Sequence, residues 1–247
     1  MGILSRQGIR LGRRTFCAST AAVVLSPAVA FAGTIRISVA EFPDAVSTPA
    51  LIAALKIAAA KVPGATAEIK TALFARSMAA MMDGSADLHI PMLRPPSDAG
   101  VPWTASAATM YHVPFVLYTN ADKPLDRANL AKYKIETEVA HVGYFDFPVV
   151  PSAGIDSSLQ KVAAGRIDGY VFAGNITDPI LQKLGLRNIR RAFYKTFDAT
   201  AVMLKENRSG PADQFFIQAM AAVAEDNEFH AATEKALSGY KGPDWHL

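Results

Sequence analysis

The chain has one cysteine, Cys17, in 247 residues. Beyond that position there is no disulfide, thiolate zinc site, iron–sulfur cluster or thiol nucleophile. Catalytic signatures are missing too: no G-x-S-x-G elbow, P-loop, G-x-G-x-x-G or H-E-x-x-H segment occurs. The five histidines, His89, His112, His141, His230 and His246, show no metal-ligand spacing. These gaps argue against an enzyme or a metalloprotein, and no cofactor is expected. After residue 32 no apolar run approaches the ~18 residues of a membrane span, which predicts a soluble mature domain.

Acidic residues are also lacking from one place, the first 32 positions. That segment holds Arg6, Arg10, Arg13 and Arg14 and no Asp or Glu, whereas the other 215 residues carry 21 Lys and Arg against 22 Asp and Glu. The whole-chain charge of +3 therefore comes from the leader. A positive stretch ends at Gly12-Arg13-Arg14-Thr15-Phe16, an uncharged apolar run extends from Cys17 to Phe31, and Ala30-Phe31-Ala32 supplies small residues before Gly33. This is the layout of a cleaved signal peptide spanning 1–32, cut after Ala32. The Arg-Arg-Thr-Phe sequence resembles a twin-arginine signal, with an ordinary Sec signal as the other possibility. The expected location is the bacterial periplasm. Cys17 precedes the apolar run, which argues against a lipoprotein. The run Arg187, Arg190, Arg191 and Lys195 reads as a solvated surface rather than a nucleic-acid site, because the mature chain has no broad basic excess.

What is present is an alternation of short β runs and helical patterns. Thr34 to Ala40 alternates polar and apolar, as a strand does. Thr48-Pro49 opens a helix, with Thr48 as cap, and Pro63-Gly64 stops it. Thr66 to Leu73 reads as a strand, Ala75 to Asp83 as a helix stopped by Gly84, and Asp87 onward as a third strand. Further strands are expected at Val113–Thr119, Ile135–Val142, Ile167–Phe172, Ala192–Phe197 and Thr200–Leu204. Helices are expected from an Asp156 cap to Gly165, from Asp178-Pro179 to Gly185, over Ala212–Ala224 and over Glu228–Leu237. Such alternation implies an α/β fold around a largely parallel sheet. One local pattern, helix, Gly, two residues, Asp, strand, occurs twice, at Gly84…Asp87 and Gly165…Asp168, and suggests two similarly built lobes.

Taken together these segments make the chain resemble the type II periplasmic solute-binding proteins, specifically the amino-acid-type binding proteins of ABC transporters. The resemblance rests on Ile35 to Phe42, Phe74 through Asp87, Trp103-Thr104-Ala105-Ser106 before Tyr111, Phe115-Val116-Leu117-Tyr118, Ser157-Ser158-Leu159 through Asp168, and Asn227 to Tyr240. It implies two lobes joined by two hinge strands, each lobe a mainly parallel sheet flanked by helices. Residues 33–112 plus 201–247 would form lobe 1 and 113–200 lobe 2, with solute held between them and hinge closure around it.

The resemblance also implies site residues. Glu41 and Phe42 follow the first strand, Phe74 takes the place of an aromatic lid, and Met92, Leu93 and Arg94 form a second contact loop. Gly143, Tyr144 and Phe145 occupy a loop whose amides hold a ligand oxygen, and Asn175 follows the Asp168 strand. Arg94 and Arg76 would supply charge, and Trp103 and Tyr111 stacking surface. Two family features are absent. The arginine that grips an α-carboxylate is replaced by the Ser97–Gly100 stretch, and the carboxylate that accepts an α-ammonium by Ala173. The implied function is capture of a small polar or anionic solute by a monomer that delivers it to an inner-membrane ABC permease. The alternative is a periplasmic accessory protein docking a partner such as a redox enzyme, and an enzyme built on the same fold ranks lower.

Overall fold

Among the described residues the sheet has ten strands and is built around one long strand, Ile189–Leu204. A computed structural model describes residues 33–42 and 46–238 and, for the backbone alone, 244–246. The leader with Arg13-Arg14 and its cut after Ala32, Pro43-Asp44 of the first loop, and Tyr240 lie outside the described residues. In chain order the elements are β1 (Gly33–Ala40), α1 (Ser47–Ala60), β2 (Ala65–Ala72), α2 (Phe74–Met82), β3 (Leu88–Leu93), β4 (Trp103–Ala105) and β5 (Tyr111–Asn120). There follow β6 (Ile135–Thr137), β7 (Val150–Pro151), α3 (Ile155–Ala163), β8 (Gly169–Ala173), α4 (Gly174–Leu184), β9 (Ile189–Leu204), α5 (Pro211–Ala222), α6 (Asn227–Ala236) and β10 (Asp244–His246). No helix among the described residues is long and apolar enough to cross a membrane.

Strand order is β2-β1-β3-β9-β5-β8-β6-β7, with β4 and β10 also paired to β9. β1 runs parallel to β2 and β3, and β6 runs parallel to β7 and β8. Between these parallel groups stand β5 and β9, antiparallel to each other and to their outer neighbours β8 and β3. The sheet thus has a β1 wing and a β8 wing, and only β5 and β9 belong to both. This is a mixed α/β architecture of two parallel units joined by a crossing pair.

Burial follows the pattern of each segment. Ile35, Ile37 and Val39 point from β1 into the core, and α1 presents Ala50, Leu51, Ala54, Leu55 and Ala58 as one apolar stripe. Leu88, His89 and Ile90 are consecutive and all buried, as expected for a strand covered on both faces.

The doubled helix–Gly–Asp–strand pattern has one structural meaning in both wings. Gly84 and Gly165 end their helices at φ of 77° and 65°, a region glycine enters without a Cβ penalty. Asp87 then clamps the start of β1: its amide donates to the Arg36 carbonyl and its carboxylate accepts from the Arg36 amide, each at 2.8 Å. Asp168 repeats the clamp on Lys134, whose amide donates to the carboxylate at 2.8 Å and whose carbonyl accepts from the Asp168 amide at 3.0 Å.

Several local expectations are corrected. Only Ile135–Thr137 of the expected Ile135–Val142 strand is extended, and Val139–Tyr144 winds into 3-10 turns. The helix expected to start at Asp178-Pro179 begins at Gly174 and carries Pro179 inside. Proline there forfeits one intrahelical bond, while the Asp178 carboxylate is drawn inward to Arg191 and Tyr118. The two strands expected over Ala192–Leu204 are one, β9. Thr48 is not the cap of α1, since Val46 holds that place and the Thr48 hydroxyl accepts from the Phe42 amide at 2.8 Å. Gly154, not Asp156, precedes α3. Arg191, read as part of a solvated run, is 1% exposed.

Candidate functional site

In each parallel unit the strands end toward the junction of the wings, where open α/β sheets place their ligands. β1 ends in Ala40-Glu41-Phe42, β3 in Pro91-Met92-Leu93, and β8 in Phe172-Ala173. These ends enclose a cavity of about 200 Å³ whose other walls are Phe74, Tyr111, Val113, Phe115, His141, Asn175, Ile176, Ala199 and Leu237. Its floor is made of cross-strand pairs. Tyr111 stands opposite Ala199 in β9, and Phe115 stands opposite Ala173 in β8. Tyr111, Val113 and Phe115 share one face of β5 because alternate residues of a strand do so.

Five carbocyclic rings, Phe42, Phe74, Tyr111, Phe115 and Phe172, line the space. Phe115 meets Phe172 edge-on at 5.4 Å and Phe197 at 4.7 Å. Phe74, the first residue of α2, packs its ring against His89 at 5.2 Å. Behind it the Ser77 hydroxyl lies 2.7 Å from His89 Nδ1, with both residues fully buried and shut off from solvent. Among the described residues no Lys or Arg lines the cavity, and Glu41, exposed at its edge, is its one carboxylate. His141 is held to about 4 by burial and is therefore neutral near pH 7, with Nδ1 lacking a partner. Asn175, 8% exposed in the first turn of α4, has an amide oxygen without a partner.

The expected site residues divide into three groups. Glu41, Phe42, Phe74, Tyr111 and Asn175 meet at the cavity. Trp103, Gly143 and Tyr144 line a second cavity, also about 200 Å³, next to Met92, Pro95 and Pro96. Arg94 and Arg76 line neither. The Arg94 guanidinium donates to the Ser106, Ala107 and Ala108 carbonyls, the last two at 3.2 and 3.1 Å, and its Nε stands 3.7 Å from Asp198. It fastens the turn that leads into β5. Arg76 is an exposed residue of α2. Tyr144, from the β8 wing, donates its hydroxyl to the Leu93 carbonyl of the β1 wing at 2.8 Å and so separates the two cavities. Burial pushes that phenol up to about 12, so it remains a donor across the physiological range.

Sequence reasoning missed Val113, Phe115, His141, Ile176, Ala199 and Leu237. Val113 and Phe115 were available from strand parity once Tyr111 was placed. His141 carried no signal, because it sits in the segment that turned out to be 3-10.

No protein-family profile matches the chain, and no curated protein matches it by sequence. Solved structures do match. The periplasmic VFT2 domain of BvgS from Bordetella pertussis aligns at TM-score 0.59 and 14% identity, over 84% of this chain and 93% of that one. The probable amino-acid ABC transporter extracellular-binding protein ytmK from Bacillus subtilis aligns at TM-score 0.57 and 12% identity, over 85% of this chain and 100% of that one. The amino acid ABC transporter substrate-binding protein AbpA from Streptococcus pneumoniae, bound to L-arginine, aligns at TM-score 0.58 and 14% identity, over 84% and 95%.

The chain has a type II periplasmic-binding-protein fold. Identities this low establish the architecture and leave the ligand open. Within the type II fold the first cavity occupies the cleft between two lobes, and β5 and β9 are the strands that cross between them.

Proposed function

We propose that this protein is an exported solute-binding protein that captures a small molecule in the cleft between the β1 and β8 wings and hands it to an inner-membrane ABC permease. The observation that carries this reading is the 200 Å³ cavity enclosed by both wings at the strand ends. A cleft collapsed onto itself would have favoured the accessory, partner-docking role. Lobe 1 is taken as residues 33–112 plus 201–247 and lobe 2 as 113–200, with closure by twisting of β5 and β9. Periplasmic location, the twin-arginine-like signal and a monomeric state belong to the same proposal. No chemistry on the ligand is proposed, since the Ser77–His89 pair has no access to it. A polar solute remains part of the proposal, whereas an anionic one finds little support, because Arg94 is engaged elsewhere and Arg76 lies outside the lining.

Ligand that binds only the folded state stabilises it by about 2.7 kcal/mol at a hundredfold excess over Kd. A thermal-shift screen of amino acids, organic acids, polyamines, sugars and neutral aromatic compounds on the protein lacking residues 1–32 tests the reading. At least one class should raise Tm in a saturable way. A flat screen combined with a single tight protein partner in pull-down would replace it with the docking role.

A further inference from the structure

We infer that the cleft ligand is a small uncharged aromatic molecule whose ring lies among Phe42, Phe74, Phe115 and Phe172 and whose hydroxyl or carboxamide meets Asn175 and the first turn of α4. The inference rests on the solute-binding proposal and names the ligand class.

Size sets the first limit. An apolar cavity of about 150 Å³ admits a benzene-sized molecule, so about 200 Å³ admits one ring with a short substituent. Chemistry sets the second. Ring faces and edges on several sides favour an aromatic partner over an aliphatic polar one. Two buried polar atoms of the lining lack a partner, Asn175 Oδ1 and His141 Nδ1, and Asn175, more than nine-tenths buried, stands one residue inside the start of α4. First-turn amides have no intrahelical acceptor, so this corner offers donors and an acceptor side by side. A hydroxyl or primary amide satisfies both at once.

Charge sets the third limit. The half-charge of one helix end does not replace a full counter-ion for a desolvated carboxylate. Among the described residues the lining has no Lys or Arg, and its single charged side chain, Glu41, is acidic. An ammonium ligand has the opposite difficulty, because Glu41 is exposed and its charge is met by water.

Isothermal titration of the full mature chain with phenylacetamide, phenylacetate and 2-phenylethylamine separates the alternatives, since the three share ring and chain length. Phenylacetamide should bind one to one, with phenylacetate and the amine each at least about tenfold weaker. Asn175→Leu should weaken phenylacetamide by about tenfold, and Phe74→Ala, at a ring 41% exposed at the cavity edge, should weaken it as well while the circular dichroism spectrum stays that of the folded chain. Phenylacetate or 2-phenylethylamine binding as tightly as the amide would overturn the inference. So would phenylacetamide failing to bind while an amino acid or sugar does, an outcome that leaves the solute-binding proposal intact. If no solute of any class binds, both readings fall together.

Discussion

The two wings share a plan but treat their buried polar groups differently. The β8 wing buries one complete ion pair and half of a second. Arg191 grips Asp178 through two bonds, Nε at 2.9 Å and Nη2 at 2.7 Å, with both side chains fully buried and Tyr118 donating to the same carboxylate. Glu136 is clasped by Lys161 at 3.0 Å and by the Ser158 hydroxyl. The β1 wing relies on neutral donors. Asp213 is held by the Ser106 hydroxyl at 2.6 Å and the Ser209 amide at 2.9 Å, and His89 is held by Ser77. A buried pair is costly to break and a buried neutral histidine is costly to charge. Removing one partner of the pair should therefore strike the β8 wing, whereas acid should act on both wings, through His89 in one and His141 in the other.

The largest effect is expected from Asp178→Ala, which leaves Arg191 charged and unpaired in the interior. A loss of about 3–5 kcal/mol in urea unfolding is expected. Replacing both partners, Asp178→Leu with Arg191→Met, should recover most of it. If Asp213→Ala in the β1 wing costs as much, the contrast between the wings does not hold.

Acid probes the buried histidine of each wing, and His89 is the one in the β1 wing. Burial holds His89 to about 4 against an ordinary value of 6.5, so the unfolded chain takes up a proton there that the folded chain refuses. Stability is complete above pH 6.5, falls as pH drops toward 4 and levels off below. The shift corresponds to on the order of 3 kcal/mol for this residue. Denaturation at several pH values should show that decline, and His89→Asn should remove its share. His141 carries the same shift and accounts for the remaining slope. A slope unchanged by His89→Asn would leave His141 of the β8 wing as the acid-sensitive histidine.

The smallest effect concerns the bond that joins the wings. Tyr144→Phe should cost about 1 kcal/mol, and small-angle scattering should show a more open ligand-free particle. Because the substitution keeps the Tyr144 ring, which packs against His141 at 5.2 Å, and removes only its hydroxyl, the two signatures above should survive this change.

How far the sequence disclosed all this depends on whether each feature is local. The Gly–Asp clamps were visible as a repeat because helix stop, turn and clamp all fall within a few residues. The aromatic character of the cleft was partly visible, through Phe42, Phe74 and Tyr111 near strand and helix ends. The sequence pattern predicts strands at Ala192–Phe197 and Thr200–Leu204, with Asp198 in the gap between them, where β9 runs unbroken. In the fold that side chain faces His112 and Thr109 at the surface, at 2.9 and 3.1 Å, and costs the strand nothing. Arg94 illustrates the opposite limit. A cation in a contact loop looks like a ligand-binding group until the chain returns a dozen residues later with three carbonyls that claim it. Arg191 is similar, since only the approach of Asp178 and Tyr118 from other elements makes an interior site for it. No pattern of neighbours along the chain encodes such meetings.

The placement of β9 has a consequence for how the chain is made. A ribosome delivers residues in order, and the strand that lies between β3 and β5 is the ninth of ten to emerge. Until Leu204 is out, both earlier strands are bare edges, and neither wing has its inner neighbour. The two halves look like separable units in the finished sheet, yet neither can be completed first. A chain cut short between β8 and β9 would leave two unfinished sheets rather than one folded lobe and a tail.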